Sequence, residues 1–514
     1  MVSRKLMSLI FVFAIAASAG AGFEDWSHYG HVATRHSIAV DGPNTIDSNT
    51  LEWVASEDPQ DPNYYVEFES ATGAVVYNNK VYAYAKYFEP NDQSPTGFDY
   101  THSQIIAYDA NSGQIVWATA IDKAIWDSWS SPCVDTKHSS VLIGSGNKIY
   151  SLDAQSGVVN WTTQLNKNVT NASVCTALDV PHARAFITDY DGFGSTGMFY
   201  CINLDANEPG NAYEPGDIVW SDTIGSTSGN SAAYKDGVVY VASIAGTSSN
   251  YGTIYAYDAA AVPDAVKLWE TTDANFDGFS GGVTVTKEGF LYAANYDWAD
   301  ESEDNSILCK LDCSDGNVVW TTATERTNCI PVVVGDKIYI SGGLNGWGSR
   351  PKVAAYQDLG SSVTKLWETG TDMVVGGWTN QLAYASGKLY VGAIPLDGYY
   401  FGSYTDLYIF DVAYSPNEAQ FVAGHYEGGG NSPAVTYDSV YTIGPNGLFK
   451  FHQEAFLGDV NKDGKVDMCD LFELSDVWLY DGPVGVIRSD LDLDGDVDFI
   501  DFCMLAEKWR EKLN

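Results

Sequence analysis

A strand–turn–strand unit recurs along this chain and restricts it to repeat architectures. Its clearest copy is residues 107–117, AYDANSGQIVW. Asp109 to Gly113 supplies a tight turn, because Asp, Asn and Ser side chains bond their own backbone and Gly accepts positive φ. Ile115 and Trp117 lie two apart and so share one face of the second strand. Residues 151–161 and 310–320 repeat the unit. Looser copies end at Trp220, Trp269 and Trp367, Trp53 ends a lone fragment, and Phe421 ends a degenerate copy. These eight markers stand about 53 residues apart on average, a period expected of propeller blades.

The ends of the array complete each other. Strand 51–55 carries Trp53 but has no partner strands before it, whereas 432–437, 439–443 and 447–452 read as three strands with no Trp-bearing fourth. Pairing the two ends makes an eighth blade and removes the free sheet edges. The expected fold is therefore all-β, an eight-bladed β-propeller with a small C-terminal α calcium-loop domain. Each repeat Trp is expected to act as a packing wedge between blades, since its ring buries a large area.

The blades also predict an elaborate face. First-to-second turns such as Asn78-Asn79, Lys235-Asp236-Gly237, Lys287-Glu288-Gly289 and Ser386-Gly387 are tight. The second-to-third loops 87–101, 189–197, 295–305, 343–351 and 395–405 are long and aromatic, and share their face with the fourth-to-first connections. Long loops on a rigid scaffold are where binding concentrates, and such rings stack on sugars or grip peptides. The ligand-face candidates are Trp126, Trp129, Trp298, Trp347, Trp378, Tyr399, Tyr400 and Phe401. The alternative is that these rings only pack the loops down.

A net charge of −40 excludes nucleic acid and anionic membrane surfaces as partners, since both require a basic footprint. Residues 1–21 read as a signal peptide, with Arg4 and Lys5 before an apolar run and small residues at the cleavage site. No later segment is long and apolar enough to span a bilayer, so an exported chain is expected: extracellular, at the cell surface or periplasmic. Eight cysteines fit no zinc spacing, and either disulfides or free buried thiols suit them. The acidic run holding Asp297, Asp300, Glu301, Glu303 and Asp304 reads as a solvated loop or a weak cation site. No Ser-His-Asp order, phosphate loop or convincing carboxylate pair is present, and the sequence singles out no catalytic residue.

The C-terminal residues carry the strongest chemical signal. Two twelve-residue loops begin at Asp459 and Asp490, 31 residues apart. Positions 1, 3, 5, 9 and 12 offer side-chain oxygens for a hard cation: Asp459, Asn461, Asp463, Asp467 and Asp470, then Asp490, Asp492, Asp494, Asp498 and Asp501. Position 7, Lys465 and Asp496, supplies a backbone carbonyl, and Gly at position 6 permits the turn. Asp stands at position 12 where an EF-hand has Glu. Helices are expected over 471–479 and 502–512, each following its loop. Two calcium ions are expected.

Two resemblances follow from these motifs. The pattern Tyr-Asp-x-x-x-Gly-x-x-x-Trp resembles the tryptophan-docking repeat of quinoprotein (PQQ-like) propellers and their non-catalytic relatives, here over residues 22–455. That family's dehydrogenases imply an adjacent Cys-Cys pair over the quinone; no two cysteines are adjacent here, so no PQQ is expected. The paired loops, residues 456–514, resemble a dockerin module. The resemblance implies attachment to a cohesin-like protein, often on polysaccharide-degrading assemblies. Its partner-reading positions fall at Met468, Cys469, Ser475 and Asp476, and at Phe499, Ile500, Ala506 and Glu507; the Ser/Thr pair of cellulosomal loops is replaced. The module's other possible partner is the chain's own propeller. The expected function is non-catalytic binding or assembly, with a glycan or protein ligand on the propeller. The alternative is a secreted enzyme, a quinoprotein-like dehydrogenase or a polysaccharide-active hydrolase or lyase.

Overall fold

The computed structural model describes residues 25–509 apart from 89–99, 127, 193, 298–301, 345–348, 372, 395–403, 413–421, 454–456 and 463. Blade one is an antiparallel sheet of Val75–Tyr77, Lys80–Tyr87, His102–Asp109 and Ile115–Ile121. Blades two to seven repeat it, starting from inner strands Cys133–Asp135, Cys175–Ala177, Ala233–Lys235, Val283–Val285, Val332–Val334 and Ala383–Ala385. Blade eight joins Asn431–Val435, Ser439–Gly444 and Gly447–His452 to Leu51–Ala55, with Trp53 opposite Lys450. The ring is therefore closed by its two ends. Phe421 lies outside the described residues, although the outer strand it marks, Val422–Glu427, is present.

Packing explains the repeat. The Trp117 ring of blade one lies on the turn of blade two, where a Cβ on Gly157 would sit 2.5 Å from the indole. Gly157 also has φ +72, so both backbone and space demand glycine. The indole Nε1 donates to the Ala154 carbonyl at 3.2 Å, and Thr119 Oγ1 donates to the Gly157 carbonyl at 2.7 Å. Trp53 on Gly113, Trp161 on Gly216 and Trp269 on Gly316 repeat the arrangement around the ring. Each Trp thus docks the following blade. The short turns are left-handed, with Asn78 and Asn79 at φ 47 and 58, as two-residue hairpins require.

Residues 25–46 have no counterpart in the repeat, and they touch the inner wall of all eight blades. Trp26 exchanges backbone hydrogen bonds with Val76 of blade one, and Val134 of blade two donates to Ser27. His28 Nε2 meets Thr176 of blade three at 3.0 Å. Tyr234 of blade four donates to Ala33, and Val285 of blade five to Thr34. Ile38 packs on Val332 and Val334 of blade six and pairs in parallel with Tyr384 of blade seven. A Cβ on Gly42 would meet Val435 of blade eight at 2.7 Å. The segment is an axial plug. Arg35 is its centre, fully buried, its guanidinium donating to the carbonyls of Tyr29, Ser173, Val174 and Ala232 at 2.5–3.0 Å.

Two helices follow in the C-terminal module, α1 (Met468–Asp476) and α2 (Phe499–Glu507). Both start three residues earlier than the sequence predicts, inside the twelve-residue loops. Asp467 and Asp498 at loop position 9 are the N-caps, and Asp470 and Asp501 complete capping boxes. Among the described residues no disulfide joins the eight cysteines, and Cys469 and Cys503 are exposed.

Candidate functional site

The two calcium loops are built alike. Gly464 and Gly495, at φ 82 and 86, turn their N–H groups onto Oδ2 of Asp459 and Asp490 at 2.8 and 3.1 Å. At position 12, Asp470 Oδ1 accepts from Asn461 N at 3.2 Å and its Oδ2 from Asp467 N at 2.7 Å. Asp501 accepts from Leu491 N at 2.6 Å and Asp498 N at 2.7 Å. The shorter Asp therefore ties the end of each loop to its beginning. Val466, Leu474, Val497, Met504 and Leu505 form the small core beneath the loops.

Loop two shows the electrostatics of a cation site directly. Asp490, Asp492 and Asp494 each bring a carboxylate oxygen within 4.8 Å of the others. Asp490 Oδ1 is buried with no hydrogen-bond partner. Burial, then the charges of Asp501, Asp492 and Asp494, push the Asp490 carboxyl up to about 8. Burial and Asp494 push Asp492 up to about 7. A buried, crowded, incompletely bonded set of hard oxygens fits a calcium ion, which would supply the missing partner and reverse the repulsion. In loop one Asp463 lies outside the described residues, and Lys465 is exposed, consistent with a position whose contribution is its carbonyl.

The aromatic candidates on the long-loop face divide. Trp126 is 59% exposed, at φ 58, with its ring edge-on to Tyr190 at 5.0 Å. Trp129 and Trp378 instead pack on each other at 5.1 Å, with Tyr296 5.6 Å from Trp378 and the buried Arg326 over Tyr296. This cluster gathers loops from opposite sides of the ring. Trp298, Trp347, Tyr399, Tyr400 and Phe401 lie outside the described residues. Within the acidic run, Asp304 is an ion-pair partner of Lys352 at 2.9 Å and Lys365 at 2.8 Å.

The sequence reading missed the plug. Its only local signal is one Arg and three His, Arg35 with His28, His31 and His36, in a stretch without acids between Asp25 and Asp41.

A closed propeller carrying a capped pair of cation loops defines a two-part protein, and comparison with known families matches both parts. The dockerin type I domain matches residues 457–508. The family PQQ_2, described as outer membrane protein assembly factor BamB, matches residues 95–198 and 211–392, more than half of the chain. The chain belongs to that family and carries a dockerin module, a calcium-binding type of domain that docks to cohesins and occurs in extracellular proteins. No curated protein matches it. Among solved structures, a quinohemoprotein alcohol dehydrogenase from Comamonas testosteroni aligns at 10% identity and TM-score 0.53, covering 86% of this chain and 83% of its own. The quinohemoprotein alcohol dehydrogenase ADHIIG from Pseudomonas putida HK5 aligns at 10% and 0.50, over 83% and 76%. Sqt1 of Chaetomium thermophilum aligns at 11% and 0.53, over 78% and 98%. At these identities the likeness is one of fold. No helix among the described residues is long and apolar enough to cross a membrane.

Proposed function

We infer that this is an exported, non-catalytic assembly protein, whose module at 456–514 takes two calcium ions and attaches the propeller at 22–455 to a cohesin-like partner. One observation carries the reading: the axis is filled by the chain itself. A ring of blades encloses one deep concave space, and residues 26–42 with Arg35 occupy it, leaving the residues around it a poor fit for a quinone. The attachment surface, by contrast, is open to solvent. Met468, Cys469, Ser475, Asp476, Phe499, Ile500, Ala506 and Glu507 all lie on it. Met468, Phe499 and Ile500 are large exposed apolar side chains there, which favours an apolar partner groove over one reading hydroxyls. In each loop the ion would be held by positions 1, 3, 5, 9 and 12 and the carbonyl of position 7, and its charge offsets the carboxylate crowding. A glycan ligand would rest on Trp126, the exposed ring among the described candidates of the long-loop face.

The test is capture on an immobilised cohesin panel. Binding is expected in calcium and absent in chelator, and Asp459→Ala with Asp490→Ala should abolish it. Chelator-insensitive capture, or dye-linked alcohol oxidation after loading with PQQ and calcium, would overturn the reading.

A further inference from the structure

The helices of the module face solvent, whereas each of its two loops also touches the propeller or its plug. We propose that the two calcium loops form a second docking surface, directed at the propeller's own plugged mouth, so that calcium seals that mouth and its removal opens it. The inference rests on the reading of both loops as calcium sites.

The contacts all lie on the short-turn face. Lys287, in the first turn of blade five, pairs with Asp496 at 2.5 Å and Asp481 at 3.1 Å. Asp496 is loop-two position 7, whose side chain is spare when its carbonyl serves the ion. In loop one Lys462 pairs with Asp41 of the plug at 3.0 Å. Lys462 and Leu493 are both position 4, and both are left-handed, at φ 59 and 57. Leu493 joins Val484 against the Ile38 and Val334 cluster. Tyr437 of blade eight and Val40 of the plug enter the module core beside Leu457 and Val460. Spacing is close: a Cβ on Gly485 would meet Ile38 at 2.8 Å, and one on Gly335 would meet Val486 at 3.0 Å. Beneath lies a cavity of about 260 Å³, lined by Thr34, His36 and Thr284 and roofed by Pro483, Val484 and Leu493.

The same position of both loops therefore faces the plug. A left-handed backbone is strained for a non-glycine residue, so it persists only where its surroundings hold it. Positions 3 and 5, on either side, carry ligand oxygens. An ion that gathers those oxygens fixes position 4 outward, and without it the docking residues lose their frame. Because the helices stay exposed, docking on the propeller and capture of a cohesin are compatible.

Small-angle scattering and hydrogen exchange on the full chain test this, with bound calcium counted separately. In calcium the envelope should be compact; in chelator it should lengthen, and exchange at 38–41 and 333–336 should rise at least about tenfold. Lys287→Glu and Asp41→Lys, both on the propeller side and outside the loops, should keep bound calcium and helix content yet show the lengthened envelope in calcium. An envelope unchanged by chelator, or variants as compact as the parent, would overturn the docking alone. Failure to bind calcium would overturn it together with the calcium reading.

Discussion

At Gly157 a turn signal and a packing constraint coincide. Its φ of +72 costs any side chain about 1–2 kcal/mol, and the Trp117 indole fills the space where a Cβ would stand. Gly237, at φ +85, has open space in that direction, with nothing within 4 Å of where a Cβ would stand, and carries the first cost only. Gly237→Ala should therefore destabilise the propeller by about 1–2 kcal/mol, and Gly157→Ala by about 1–3 kcal/mol more. Denaturant titration decides it; equal losses would show that the indole contact carries no energy. The sequence marks both glycines as turn residues. It does not distinguish them, because the ring that covers Gly157 belongs to the preceding blade.

At the scale of elements, the plug and the helix starts depart most from the sequence reading. The plug carries three neutral histidines around an arginine. Burial, then Arg35 and His31, drives His28 well below its usual range. Burial does the same to His36 and lowers His31 from 6.5 to about 4. Such groups hold fewer protons folded than unfolded, so stability is full above pH 6.5 and falls as pH drops toward 4. His31 alone accounts for up to about 3 kcal/mol, less as its half-buried ring meets water. Denaturant midpoints at pH 7, 5.5 and 4.5 should fall in that order, and His31→Gln should flatten the slope. A parallel pH profile in the variant would remove His31 from the account. The helix starts were legible in principle: an Asp three residues before another Asp is a capping pair, hidden here inside a calcium motif.

For the whole molecule, closure is the governing fact. Trp53 bridges blade eight to blade one, donating from Nε1 to the Ala110 carbonyl at 3.1 Å. Trp53→Ala should cost about 2–4 kcal/mol, below the full loss of a buried Trp because this ring is half-exposed. Its distinctive effect should be local opening. Amide exchange across Leu51–Ala55 and Gly447–His452 should accelerate, whereas Trp117→Ala should leave that seam protected. The same exchange rates in both variants would mean that the seam is no weaker than any other junction.

The sequence by itself determined the parts that recur or that chemistry spaces. A Trp on seven of the eight outer strands, the turn glycines and two strand-poor ends are local patterns, and they yield eight closed blades. Oxygens at fixed intervals around a glycine yield the cation loops in the same way. Only the tertiary structure decided what fills the axis, and how the module sits. Arg35 is satisfied by carbonyls up to 197 residues away, and Lys287 finds Asp496 across 209. Such contacts leave no period in the chain, because each is made once, between segments that only ring closure brings together.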